Sequence, residues 1–289
     1  MLEETSEMSL QTDTKNIAAV EQEVQSIYLA AFPDADEQFV PRVFSWVGEC
    51  FSGGYPGYQA IDASYHDLEH TLQGTLCMTR ILGRRHQTES LPRCTRRSFE
   101  LGLLAILLHD TGYLKQVGDN EGTGAKYTLT HVKRSMDFAA ALLRRHDFTP
   151  AEIRTVQNMI SCTGVNVDLG IVPFQNYLEQ MVGFALGTGD LLGQMAAVDY
   201  VEKLPILYEE FAETQRFNAG QPASRVTFSS ADDLIRKTPA FWQHYVLPKI
   251  EHDFQGLYRF LAVPYPHGPN WYVDRIEENL ARIAEETVD

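Results

Sequence analysis

The sequence predicts an all-α protein, on three observations. Apolar residues recur at intervals of three and four along almost the whole chain from Asn16, alternating apolar and polar runs are nearly absent, and Gly, Pro and Ser cluster in only a few short stretches. The spacing predicts helices first over 17–31, 37–51 and 67–84. The next, over 95–110, ends in a near-continuous apolar run from Leu101 to Leu108, and another covers 129–147. A helix over 150–162 has the clearest start, because Thr149, Pro150 and Glu152 supply an N-cap, a first-position proline and a capping-box carboxylate. Further helices are expected over 175–187, 190–214, 239–261 and 270–286. The best strand candidate is the short stretch Arg225 to Ser229. Loops are expected near 52–57, 116–125 and 217–231, none of which separates two independent cores. Residues 16–289 therefore read as one domain, and residues 1–15, polar, acidic and aperiodic, as a disordered tail.

Composition narrows the function classes. The chain has 289 residues, 44% of them apolar, enough for a substantial core. Its longest apolar runs fall far short of the roughly 20 residues that cross a bilayer, so no membrane partner is expected. The opening MLEETSEMSLQTDTK has neither the basic start nor the apolar stretch of an export signal, and the expected location is cytoplasmic. Cys50, Cys77, Cys94 and Cys162 are scattered, with no CxxC pair, and read as reduced thiols. A formal charge of -15 argues against a nucleic-acid polymer as partner, because phosphate contacts need a positive surface. Arg80, Arg84, Arg85, Arg93, Arg96 and Arg97 form a local basic exception that reads as a solvated face. The sequence is silent on oligomeric state.

Five residues carry the candidate chemistry. YHDLEH sets His66 and His70 four apart, on one face if the segment is helical. LGLLAILLHDTGY delivers His109 and Asp110 together at the end of an apolar run, where a carboxylate needs a cation, a donor network or a metal. Asp190 is the only charge in FALGTGDLLGQMAAV and needs a partner too, or else caps a helix beginning near Leu191. Two imidazoles and two carboxylates make a mixed nitrogen and oxygen set suited to a divalent ion such as Mn²⁺, Fe²⁺ or Zn²⁺, with Mg²⁺ also compatible.

The order His70, His109-Asp110, Asp190 resembles the H…HD…D signature of the HD superfamily of metal-dependent phosphohydrolases. Within it, the YHxxxH opening and GDLLGQMAAVDYVEKLPILYEEF are similar to cyclic-nucleotide phosphodiesterases and their bacterial HD-domain relatives, over a motif core of about residues 65–211. The resemblance implies an HD-domain, phosphodiesterase-like helical bundle with extra terminal helices. It implies His70, His109, Asp110 and Asp190 as metal ligands, with Asp110 catalytic as well, and His66 as the acid that protonates the leaving oxygen. The implied reaction is cleavage of a phosphoester of a nucleotide or similar small molecule by metal-activated water, with a small phosphorylated substrate as partner. His131 matches the first extra histidine of two-metal members, but Thr163 stands where the next belongs, so a second ion would bind more weakly. FWQHYVLPKI resembles the helix with a substrate-facing glutamine, which would put Gln243 near the pocket; Lys133, just after His131, is a candidate contact for substrate phosphate or else an exposed helix charge. Asp67 replaces the usual Asn after the first histidine. The alternative is a metal-containing HD-fold binding or signalling module with little catalytic activity.

Overall fold

The computed structural model describes residues 12–165, 167–219 and 228–286. It is all-α: among the described residues there is no strand, only an isolated bridge between Tyr58 and Gln116. The helices are α1 (Ile17–Ala31), α2 (Phe39–Phe51), α3 (Leu68–Gln87), α4 (Arg96–Leu108), α5 (His131–Arg145), α6 (Pro150–Ile160), α7 (Tyr177–Met195), α8 (Tyr200–Phe217), α9 (Ala231–Phe241) and α10 (Trp271–Glu286). Residues 225–227 of the strand candidate lie outside the described residues, as do residues 1–11 of the expected tail. Thr12 to Lys15 are described, and Lys15 pairs with Asp199 at 2.9 Å. No single helix among the described residues is long and apolar enough to cross a membrane.

Helix α3 is central because its sequence can be buried on every side. His70 to Gly83 are buried without a break. Thr75 and Thr79 return their hydroxyls to the carbonyls four residues earlier at 2.8 and 2.7 Å, so their polar groups need no outside partner. Arg80 is satisfied by Glu23 of α1 at 2.7 Å and by the Tyr272 hydroxyl of α10 at 3.0 Å. Around α3 lie α1, α4 and α7. The apolar run Leu101 to Leu108 makes α4 an equally buried rod that ends at the site.

The join between α3 and α7 corrects one sequence expectation. The spacing predicts separate helices over 175–187 and 190–214, with Asp190 at the start of the second or capping it. Instead α7 runs unbroken from Tyr177 to Met195, and Asp190 lies inside it. The glycines serve packing: a Cβ on Gly193 would lie 2.6 Å from the Gln73 backbone, and one on Gly189 would lie 2.8 Å from the Gly74 carbonyl oxygen. Bare backbones touching here bring Asp190 level with the start of α3. The break comes later, at Ala196 to Asp199, and α8 begins at Tyr200. The expected single helix over 239–261 is instead the end of α9, two π-helical turns (Trp242–Val246, Lys249–Asp253) and a 3₁₀ turn (Leu257–Leu261).

Candidate metal centre

Three elements deliver the quartet. At the start of α3, Asp67 takes the N-cap position and accepts the His70 N–H at 2.9 Å, which fixes the first helical turn. At the end of α4, His109 occupies the C-cap, and Asp110 leads into the 3₁₀ turn Thr111–Tyr113. That turn needs Gly112, since a Cβ there would lie 2.0 Å from the His131 carbonyl oxygen. Ser135 and Arg134 of α5 then hold Gly112 by its N–H (2.8 Å) and its carbonyl (2.7 Å). Asp190 arrives from α7.

The four side chains converge. His70 Nε2 lies 3.1 Å from Asp110 Oδ2 and 3.2 Å from Asp190 Oδ1, and His109 Nε2 lies 3.2 and 3.4 Å from the same two atoms. His109 and Asp110 are each 1% exposed. His109 Nδ1 donates to the Ile106 carbonyl at 2.7 Å, which leaves Nε2 with its lone pair facing the carboxylates. Although close, His109 Nε2 and Asp110 Oδ2 make no hydrogen bond and are buried. Ligands about 2.1 Å from one ion sit about 3.0 Å apart at neighbouring octahedral positions and about 3.4 Å apart at tetrahedral ones. The observed separations fall in that interval, and the orphaned atoms are the donors such an ion takes. The buried His70, His109 and Asp110 can hold a metal ion.

The electrostatics of the metal-free cluster agree. Burial pushes the His70 imidazole down, but the carboxylates of Asp110 and Asp190 outweigh it and raise it to about 9. His109 is raised well above its ordinary value by the same balance. Burial works against ionised Asp110 and Asp190, yet the imidazoles hold both carboxyls below the usual range. Without a cation, the cluster keeps protons in its place.

His131 stands further off. Its Nδ1 donates to the Thr128 carbonyl at 2.6 Å, freeing Nε2, which lies 3.9 Å from Asp110 Oδ1. Thr163, at the position of the missing histidine, turns its hydroxyl back to the Ile160 carbonyl at 2.9 Å. His66 precedes the N-cap, so it is not on the face of α3 that helical spacing from His70 implied. Tertiary contacts place it instead. Its Nδ1 donates to Glu210 Oε2 at 2.6 Å, its ring lies 5.3 Å from that of His70, and it stacks on Tyr113 at 4.5 Å, with the His131 ring 4.7 Å from Tyr113 and 6.3 Å from His66. Glu210 also accepts the Tyr65 N–H at 2.7 Å. Burial opposes its ionisation, but His66 and these donors hold its carboxyl below the ordinary range.

Two expected substrate residues lie on the surface. Lys133 is paired with Asp137 at 2.7 Å in an exposed i,i+4 bridge. Gln243 is exposed on the first π-helical turn, where the neighbouring Tyr245 is the residue pushed up to about 12, by burial first and then by the charge of Asp190. Sequence reasoning missed Glu210, Tyr113 and Tyr245. Nothing in the local pattern separates Glu210 from the neighbouring Glu209; only the fold buries one of them, at 4% exposure.

A family model described as Npun_R2479-like matches residues 13–261, and the chain belongs to that family. No curated protein matches it.

Proposed function

We propose that this member of the Npun_R2479-like family is a metal-dependent hydrolase of a phosphoester in a nucleotide or similar small molecule. The observation that carries the reading is the convergence of His70, His109, Asp110 and Asp190 on one point, with His66 held beside it by Glu210. The likeness to the HD superfamily supplies the reaction class. Asp190 is the proposed fourth ligand, because its Oδ1 stands as close to both imidazoles as Asp110 does. His131 is the proposed contact for a weaker second ion.

When bound, a divalent ion acidifies a water ligand and neutralises charge that grows on the phosphoryl oxygens. The chain's own residues do the rest. Glu210 accepts from Nδ1 of His66 and so fixes the tautomer, which leaves Nε2 as the position that carries and gives up a proton. Protonation of the leaving oxygen by His66 Nε2 is the proposed acid step. The net charge of -15 favours a small phosphorylated partner over a nucleic-acid polymer, and a cytoplasmic setting belongs to the same proposal.

The test is hydrolysis of cyclic nucleotides, mononucleotides and dinucleotide polyphosphates by metal-loaded protein. Turnover that requires the metal and disappears in His70→Ala and Asp190→Ala is the expected result. A full metal complement with nucleotide bound and never cleaved would replace the hydrolase reading with that of a binding module.

A further inference from the structure

Among the seven lysines of the chain, Lys249 differs from the other six. Lys15, Lys115, Lys126, Lys133, Lys203 and Lys237 each have a carboxylate oxygen within 2.9 Å. The Lys249 side chain is 9% exposed, yet its nearest carboxylate, the exposed Asp253, is 3.9 Å away. Its Nζ lies instead over two rings, 5.4 Å from the centre of Tyr245 and 5.3 Å from that of Phe254. Ring faces attract a cation but replace little of the water that burial removes, so this ammonium is under-compensated.

Its position gives that deficit a meaning. The Phe254 ring lies against Gly187 of α7, 2.4 Å from where a Cβ would stand, and Gly187 precedes Asp190 by three residues, about 4.5 Å along the helix. Tyr245 donates its hydroxyl to the Val165 carbonyl at 3.0 Å, just beyond the turn that carries Thr163. The two π-helical turns holding Tyr245 and Lys249 widen the backbone at this place, as such turns do where a side chain must be re-aimed. Lys249 is thus linked to Asp190 through the Phe254 ring and Gly187, and through Tyr245 to the segment just beyond Thr163. The electrostatics run the same way: burial pushes the Cys162 thiol up to about 12, with Lys249 pulling against it.

We propose that Lys249 is the cation that receives the anionic group of the substrate, a phosphate or phosphate ester, beside the metal quartet. The inference rests on the phosphohydrolase reading for the identity of the anion. An ammonium already desolvated and held between two rings loses little freedom on meeting a phosphate oxygen, and the ion pair completes its partners.

The experiment titrates inorganic phosphate into wild type, K249M and K249R by calorimetry, each in metal-loaded and metal-free form, with metal content and thermal midpoint measured on the same samples. Methionine fills the same apolar cradle without charge, so K249M is expected to keep its fold and its metal while binding phosphate at least about tenfold more weakly. K249R retains affinity to within about threefold, because the charge remains. Should K249M not fold, K249Q reads the same quantity. Phosphate affinity in the uncharged variant equal to wild type, or wild type that binds no phosphate in either form, overturns the inference. A protein that binds phosphate through Lys249 and hydrolyses no ester keeps the inference and ends the hydrolase reading. One whose K249M variant hydrolyses esters with unchanged KM does the reverse.

Discussion

The two flanks of Asp110 are built differently. On one, Oδ2 faces His70 and His109 at 3.1 and 3.2 Å, and Asp190 closes the set. On the other, Oδ1 faces a lone histidine, His131, at 3.9 Å, while Thr163 bonds back into its own turn. The first flank is made where helices meet with no side chains between them: Gly189 and Gly193 let α7 touch α3. The second is made from a 3₁₀ turn and the first residue of α5, and its ligand count is short. The difference teaches that the geometry of the first flank is fixed by packing, whereas a site on the second would depend on few groups.

The largest effects should come from the tight flank. Asp110→Ala or His109→Ala should lose the ion on dialysis, a drop in affinity beyond the roughly 10–100-fold seen when only an outer partner of a ligand is changed. Elemental analysis measures it, and retention of a stoichiometric ion in either variant would break the comparison.

His66 should separate from the ligands. His66→Gln should keep the metal and lose turnover by about 10²–10⁴-fold, the usual contribution of a general acid. Glu210→Gln, which unsettles the tautomer and not the proton itself, should cost about 10–100-fold and alter the pH profile of turnover. Metal content read beside the rate distinguishes an acid from a ligand.

The packing claim predicts a smaller effect. A methyl group on Gly193 meets Gln73 backbone at 2.6 Å, so Gly193→Ala should destabilise by about 1–3 kcal/mol in denaturant unfolding and weaken metal binding with it. Gly48→Ala in α2 is the control: its added carbon meets only Ile17 at 3.7 Å, and the helix should be unharmed or slightly firmer. Equal effects from the two would mean that the glycines of α7 do not set the ligand geometry.

The metal-free cluster should also depend on pH. His70 titrates at about 9 in the fold against an ordinary value near 6.5. Its contribution to metal-free stability is therefore complete below about 6.5 and disappears as pH rises through about 9. Metal uptake at neutral pH should release at least one proton, visible as a buffer-dependent heat. The smallest effect belongs to the open flank: His131→Ala should leave the quartet's affinity within the tenfold or so that marks an outer partner.

Much of this was legible in the sequence, for reasons that can be named. The capping box at Thr149 and Glu152 forms as expected, with the Glu152 carboxylate accepting the Thr149 N–H at 2.9 Å. The apolar run before His109 does bury the pair. Asp190 does find its partners. The errors concern glycine and helix ends. The spacing set apart helices over 175–187 and 190–214, whereas α7 runs unbroken through its glycines, which weaken an isolated helix but allow contact with α3. The four-residue spacing put His66 on the face of His70 if the segment were helical, whereas Asp67 caps α3 and leaves His66 ahead of it.

The sequence by itself determined the all-α class and the buried fate of the His109-Asp110 pair, and it offered all four residues of the quartet as candidates, because periodicity and the penalty for unpaired buried charge act along the chain. Tertiary structure alone decided which of two adjacent glutamates holds His66, that Gln243 and Lys133 sit on the surface, and that Lys249 stands under-compensated beside α7. Those are contacts between residues distant in sequence, and their cost or benefit exists only once backbones have closed to the distances that glycine permits.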